Sequence, residues 1–414
     1  MPQIKIKETD LTTVTVGEYK NFAVVVPGVV VNNDEFAGVC DENNVYECSS
    51  QLDFVTYVGI QETTGDETQI GNQIAYELLG LGYPVLYKKY DPENDDLGDA
   101  EYWDALKDKA TYDFRFIING LLSDNDDANA QITAVAMHYD DDRAETNNGR
   151  GDCTALCDID ESIYNTVTNR ASRIALFNAI KGVTSALGKY AAWFTPSVCL
   201  KGTSSKYVNH KFPASFYYLA CFKNALDNGF AEWYAAAGYT RGVCKYIVES
   251  TDVNFGEYLI NALGPRTNEN GMAAAVNVIA RIRKNYYLWG NRTAASLNGV
   301  DLKAEHFLNI RQLCSTLKKQ IYVACRKFTF DPNSDVLWIN FCNALKPTLE
   351  GMKADQGVKD YKIVKLRTAK KAELKARVRI IPIEAVEDFD IEITLEDNFG
   401  ETTADVAEVE AAEE

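Results

Sequence analysis

Histidine is almost missing from this 414-residue chain, which has only His138, His210 and His306. Three scattered imidazoles, none beside a Ser or Cys nucleophile elbow, leave little basis for His-based metal binding or for a catalytic triad. Basic residues are in deficit: 42 Lys and Arg stand against 60 Asp and Glu, a formal charge of −18. That is the wrong sign for a general nucleic-acid binder, which neutralises phosphates with a cationic face. Long apolar runs are absent too. The longest, Phe22 to Val31, is ten residues broken by Pro27 and Gly28, about half the ~20 residues a membrane-spanning helix needs. The opening MPQIKIKETD contains no apolar h-region, so no secretory leader is expected. The ten cysteines include no CxxC, and Cys153 and Cys157 have no second pair at zinc spacing. Reduced, mostly buried thiols are expected, not a disulfide framework or a zinc site.

Nucleotide motifs are missing as well. The nearest approach to a phosphate loop, Gly182-Val-Thr-Ser-Ala-Leu-Gly188-Lys189, has five residues between its glycines where the motif has four. Tyr190 follows where a metal-binding Ser or Thr belongs. A helix C-cap at Gly188 is the simpler reading. Asp158, Asp160 and Glu161 cluster at the end of an expected strand, where α/β sheets place active sites and where carboxylates could hold Mg²⁺. With no basic or His partner nearby in sequence, a solvated loop is the simpler reading. No cofactor and no metal is expected, and the charge and hydropathy argue against nucleic acid and membrane as partners.

What is present is an ordinary globular composition, 46% hydrophobic and 25% charged, on a length that allows about two or three domains. Strand and helix patterns alternate. Strands are expected at Phe54–Ile60, Pro84–Tyr87, Asp113–Ile118, Cys153–Ile159 and Tyr190–Phe194, with helices at Ile70–Leu81, Tyr102–Lys109, Asp126–His138 and Asn169–Leu187 between them. Such alternation implies an α/β fold with a mostly parallel sheet. A further helix over Phe212–Leu226 and a strand around Val243–Val248 precede a boundary at Gly264-Pro265. Beyond it, Phe307–Phe328 has a continuous apolar stripe: Phe307, Ile310, Leu313, Leu317, Ile321, Ala324 and Phe328. Arg311, Lys318, Lys319 and Arg326 fall on the opposite half of the wheel. Asp331-Pro332-Asn333-Ser334 stops this helix and caps the next, over Val336–Leu349, which Pro347 is expected to kink or end early.

The charge is sorted towards the C-terminus. Residues 357–383 carry nine Lys or Arg against Asp360 and Glu373, whereas residues 384–414 carry 13 acidic residues and no base. Lys375, Arg377 and Arg379 alternate with Ala376, Val378 and Ile380. Phe389, Ile391 and Ile393 alternate with Asp390 and Glu392. At the other end Ile4 and Ile6 alternate with Lys5 and Lys7. Both ends therefore read as extended strands, an N-terminal arm and a C-terminal arm of opposite charge. Each could pair within its own subunit or be donated to a neighbouring copy. The expected layout is an N-terminal linking arm over 1–20, an outer α/β domain over 21–265, a C-terminal α+β assembly domain over 266–400 and an acidic tail over 401–414.

A series of segments resembles a known family. Asn285-Tyr-Tyr-Leu-Trp-Gly-Asn-Arg-Thr293 is similar to a "vWGaRT" segment, and Asn309-Ile-Arg-Gln-Leu313 follows like "nvRRl", with Gln312 in place of the second Arg. Phe328-Thr-Phe-Asp-Pro-Asn333 and Leu337-Trp338 resemble "f-x-f-x-pN … lW". Upstream, Gly151–Asp158 resembles "alvD", Tyr190–Pro196 "aa-y-PW", Pro213-Ala-Ser215 "pPS" and Phe230–Gly238 "G-x-w-x-apAG". In order, over about residues 110 to 395, these resemble contractile tail sheath proteins of bacteriophages and related injection machines.

The resemblance implies a non-enzymatic structural subunit. Its copies would form stacked hexameric rings around an inner tail tube, contracting to drive the tube through the host envelope; an α/β hydrolase is the distant alternative. It implies strand exchange between copies through Ile4, Lys5, Ile6, Lys7 and Phe389, Asp390, Ile391, Glu392, Ile393. Arg311, Lys318, Lys319 and Arg326 would face the tube, unless they form a solvated polar face. The implied partners are the chain itself, the inner tail tube protein, and baseplate and tail terminator proteins. The implied setting is a virion tail assembled in the host bacterial cytoplasm, or a non-viral injection system. The length implies that no large outer decoration domain is present.

Overall fold

The computed structural model describes residues 21–60, 69–123, 125–138, 149–160, 162–163, 180, 187–200, 210–245, 247, 275–296, 303–368 and 372–385. The two arms, including Ile4–Lys7 and Phe389–Ile393, lie outside these, as does nearly all of the helix expected over Asn169–Leu187.

Eight strands form one sheet: β1 (Val24–Gly28), β2 (Val45–Cys48), β3 (Val85–Lys89), β4 (Phe116–Ile117), β5 (Thr154–Asp158), β6 (Ala191–Thr195), β9 (Val276–Ile282) and β10 (Asn285–Trp289). Their order is β10-β9-β6-β5-β4-β1-β3-β2. Pairing is parallel from β9 through β3, and only the outermost strands, β2 and β10, run antiparallel to their neighbours. Helices α1 (Asn33–Ala37), α2 (Gln51–Asp53), α3 (Gly71–Gly80), α4 (Ala100–Asp104), α5 (Asp126–Ala136), α6 (Ala214–Asp227) and α7 (Gly238–Arg241) belong to the same region. Short strands β7 (Val198–Cys199) and β8 (Lys211–Phe212) form a separate pair.

Central β1 shows why the sheet is stable. All five of its residues are buried. Val24 and Val26 join the apolar layer on one face with Ile74, Leu78, Phe194 and Phe222. Ala23 and Val25 join the layer on the other with Trp103, Ile132 and Trp193. A parallel strand covered on both faces gains nothing from alternating polar residues, so it reads as a continuous apolar run. That same run, too short for a membrane, is the middle of the sheet.

Two expectations are corrected here. Phe54–Ile60 is not a strand. Ser50 caps α2 by accepting a hydrogen bond from Asp53 N, and the chain continues as a π turn over Phe54–Val58. Phe54 and Val58, four apart, are its buried residues, a helical spacing that two-residue alternation obscures. In addition, β9 pairs with β6, so the expected boundary at 265/266 does not divide the sheet. Among the described residues of Val243–Val248, Val243 and Ile247 make isolated bridges, to Tyr287 and Leu200.

Past the sheet, α8 (Leu308–Phe328) and α9 (Asp335–Ala354) form a helical hairpin, followed by an antiparallel ribbon of β11 (Val358–Leu366) and β12 (Lys375–Pro382). Ser334 caps α9 through Leu337 N. Pro347 lies inside α9, which runs on to Ala354 and does not end early.

Asp158, the buried carboxylate at the end of β5, is taken up structurally. Pro213 precedes α6 and offers no side-chain cap. The Asp158 carboxylate supplies one from a distance, accepting from Ser215 N at 3.0 Å. Asp160 caps its own turn by accepting from Ser162 N. Burial pushes the Asp158 carboxyl up from 3.8 to about 7, against the lowering effect of its hydrogen bonds. The folded chain therefore keeps this proton up to about pH 7, while the unfolded chain releases it near 3.8. The resulting stabilisation is fully present below pH 4 and is lost as pH rises to 7, on the order of 4 kcal/mol at ~1.36 kcal/mol per unit. Asp158→Asn keeps the acceptor without the charge. It is expected to flatten this fall and to match or exceed the parent's stability at pH 8, measured by urea denaturation at pH 5 and pH 8.

Candidate assembly site

Helix α8 has two seams of opposite character. On one side Leu313, Leu317 and Ala324 pack with Phe341, Ala344, Leu345, Leu349 and Met352 of α9 and with Val358 at the start of the ribbon. This apolar seam makes α8, α9 and the ribbon one body. The other side carries Asn309, Arg311, Gln312, Ser315, Thr316, Lys319 and Gln320, and it is buried as well. It faces the sheet, and its bonds are polar.

Arg115, wholly buried, donates from Nε to Gln312 Oε1 at 2.8 Å and from Nη2 to the Gln312 carbonyl. Gln312 Nε2 donates to Thr154 Oγ1 of β5 at 3.2 Å. Lys319 pairs with Asp113 at 2.5 Å and Asp152 at 3.5 Å. Lys318 donates to Tyr190 OH at 3.0 Å, and the Arg311 guanidinium lies 4.8 Å over the Tyr190 ring. The expected free basic half-wheel is thus corrected for Arg311, Lys318 and Lys319, whose partners are in the same chain. Burying a cation costs too much unless it is paired. Lys319 finds carboxylates and the half-buried Lys318 a tyrosine hydroxyl, whereas buried Arg311 has the Tyr190 ring, and its Nε and Nη2 have no hydrogen-bond partner among the described residues. Of the four candidates only Arg326 stays exposed.

The segment from Trp289 to Thr293 is the second connection. Asn277 of β9 donates to Trp193 O and to Arg292 O, and its Oδ1 accepts from Arg292 N. Asn291 and Asn309 exchange hydrogen bonds at 2.7 and 3.0 Å, tying the strand end to the first turn of α8. Asn309 also donates to Trp233 O, and Trp233 Nε1 donates to Asp355 O just past α9. Gly290 has φ +151, and a Cβ there would sit 2.8 Å from Asn277 Cα. The close approach needs glycine.

The ribbon packs one face on the helical hairpin through Tyr361, Ile363, Ala376, Val378 and Ile380. Its outer positions are charged: Lys359, Asp360, Lys362 and Lys365 on β11, and Lys375, Arg377 and Arg379 on β12, all exposed. Lys362 stands opposite Arg379, a like-charge pair that destabilises an isolated ribbon. Among the described residues the ribbon has no third strand, and no residue there pairs with the outer backbone edge of β11 or β12. Two strands alone are marginal in water, and open edges accept further strands. The basic composition and the alternation in β12 were visible in the sequence; β11 was not anticipated. Among the described residues no His, Cys, Asp and Glu side chains group as a metal site, and no helix is long and apolar enough to cross a membrane.

Solved structures share this architecture over nearly the whole chain. The sheath complex of the extracellular contractile injection system PVC, in its contracted state, matches with TM-score 0.66 at 15% identity, covering 96% of this chain and 98% of that one. The anti-feeding prophage helical sheath, also contracted, matches with TM-score 0.64 at 15% identity, over 95% and 99%. The chain has the fold of contractile sheath subunits. A sheath tail protein of Desulfitobacterium hafniense matches with TM-score 0.54 at 9% identity, over 92% of this chain and all of that one. No protein-family profile and no curated protein sequence matches.

Two substitutions probe the seams. Gly290→Ala is expected to cost about 1–3 kcal/mol through backbone strain and the Asn277 clash. Gln312→Arg, which restores the second arginine of the resembling motif, sets a second buried cation against Arg115. It is expected to cost about 3–5 kcal/mol, the range for an uncompensated buried charge. Chemical denaturation of each variant measures both.

Proposed function

We propose that this chain is a structural subunit of a contractile sheath, polymerising with itself as stacked hexameric rings around an inner tube and contracting to drive that tube through a target envelope. The observation that carries the reading is the basic β11–β12 ribbon, held on a rigid helical platform with its backbone edges unpaired among the described residues. A strand from a neighbour would satisfy those edges by ladder hydrogen bonds. The N-terminal arm, through Ile4, Lys5, Ile6 and Lys7, and the acidic C-terminal strand, through Phe389, Asp390, Ile391, Glu392 and Ile393, are the proposed donors to adjacent copies. The acidic strand would also relieve the Lys362–Arg379 repulsion. The inner tube, the baseplate and the terminator are the remaining proposed partners, with Arg326 the exposed candidate for the tube. A catalytic reading is disfavoured because Asp158 and Asp160 already serve as caps.

A second reading concerns the machine. The likeness to the PVC and anti-feeding prophage sheaths supports an extracellular contractile injection system as an alternative to a phage tail.

Deleting residues 1–16 is expected to leave a folded monomer, by circular dichroism and thermal melting, that forms no long tubes in negative-stain electron microscopy. Normal tubes from the truncated chain would refute the linking role of the arm.

A further inference from the structure

Between the sheet and the C-terminal half of α8 lies a cleft of about 430 Å³ lined by Lys109, Ala110, Asp113, Arg150, Asp152, Lys319, Tyr322, Val323, Arg326 and Lys327. Five of these residues are cationic and two anionic, in a chain whose formal charge is −18. The two carboxylates are already engaged. Asp152 pairs with Arg150 at 3.0 Å and with Lys319 at 3.5 Å. Asp113 pairs with Lys319 and accepts from Asn21. Among the described residues no carboxylate pairs with Lys109, Arg326 or Lys327. Among the described residues the mouth of the cleft therefore keeps an excess of positive charge, above a floor of buried Arg150 and Lys319.

The like charges are crowded enough to feel one another. Burial lowers Lys109, and the nearby Arg150 and Lys318 lower it further, with Asp152 opposing. Burial likewise lowers Lys319, with Asp152 and Asp113 opposing and Arg150 adding to the fall. Arg150 spends its donors on Asp152, Leu106 O and Asp108 O, so it adds charge to the floor, and a crowd of partly desolvated cations is neutralised by an anion offering several acceptor oxygens. Arg326 and Lys327 also offset the C-terminal dipole of α8, but a dipole does not require Lys109 to face them across the cleft.

We propose that this cleft binds a small, multiply charged oxyanion of the phosphate class, held at the rim by Lys109, Arg326 and Lys327 over Arg150 and Lys319. The site joins residues of the sheet body to residues of α8, so its occupancy would clamp that junction. It requires no neighbouring copy, and it shares Arg326 with the proposed tube contact.

The test is calorimetric titration of the full-length chain with inorganic pyrophosphate at low salt, beside the Lys109→Gln/Arg326→Gln double variant. Both substitutions lie outside the buried floor, and thermal melting checks that the variant folds. One saturating site per chain is expected, weakening as NaCl is added, and about tenfold or more weaker in the variant, each tenfold corresponding to ~1.4 kcal/mol. Absence of binding to the folded parent overturns the proposal. So does binding that the variant leaves unchanged, since it would then reside elsewhere. A glutamate-rich peptide that binds the parent where pyrophosphate does not also overturns it, because the cleft would then be a protein-docking surface.

Discussion

A buried arginine sets the geometry of this molecule. Arg115 comes from the loop just before β4, in the middle of the sheet, and its guanidinium has no route to water. It needs acceptors inside the fold, because an unpaired buried cation costs several kcal/mol. Gln312 provides two of them from α8, using its side chain and its carbonyl, with the buried Glu232 carboxylate 3.9 Å away as counter-charge, and then reaches Thr154 on the adjacent strand. An apolar contact would tolerate a sliding or rotated helix. A directional one does not. The position of α8, and with it α9 and the ribbon, is thereby keyed to the sheet. The Asn277–Arg292 backbone bonds and the Asn291–Asn309 exchange do the same at the start of the helix.

The two seams of α8 divide the work. The apolar one is non-directional and joins helix to helix and helix to ribbon; truncating one of its leucines would cost about 2–5 kcal/mol. The polar one fixes orientation. In the proposed assembly this matters because subunits would move as nearly rigid bodies. A ribbon that takes part in neighbour contacts transmits force to the sheet only if the helix beneath it does not slip. The hydrogen-bonded seam supplies that stiffness.

Much of the fold was legible because the physics was local. Strands β3, β5 and β6 and helices α3, α5, α6 and α8 stand within a few residues of where periodicity placed them. The failures have physical causes. Val24–Gly28 lacks alternation because both faces of a central parallel strand are covered. Phe54–Val58 mimics a buried strand because it is a short run of β-branched and aromatic residues, the types enriched in strands, while Ser50 starts a helical turn. The polar half of α8 read as solvated since nothing in a single sequence announces that Asp113, Asp152 and Tyr190 would meet it from far along the chain. Gln312 looked like a defect in an arginine pair, and the structure shows it as the acceptor for the arginine on the opposite side of the interface. For Asp158 the sequence suggested a solvated loop; the arrival of α6, fifty-seven residues on, buries the carboxylate and makes it a cap.

The sorting of charge then has an explanation consistent with the proposed assembly. Ladder hydrogen bonds are sequence-independent, so an open ribbon edge would accept any strand, including the ribbon of another copy. A ribbon bearing Lys359, Lys362 and Lys365 on one strand and Lys375, Arg377 and Arg379 on the other repels its own kind. A strand bearing Asp390 and Glu392 does not. Exposed ion pairs contribute little net stability each, about 0–1 kcal/mol, and salt screens them. Their effect on choice is larger, because like-charge pairing is penalised while opposite-charge pairing is not. Backbone pairing would therefore hold the copies together, and the separation of nine bases from the following 13 acids would decide which edge each strand joins.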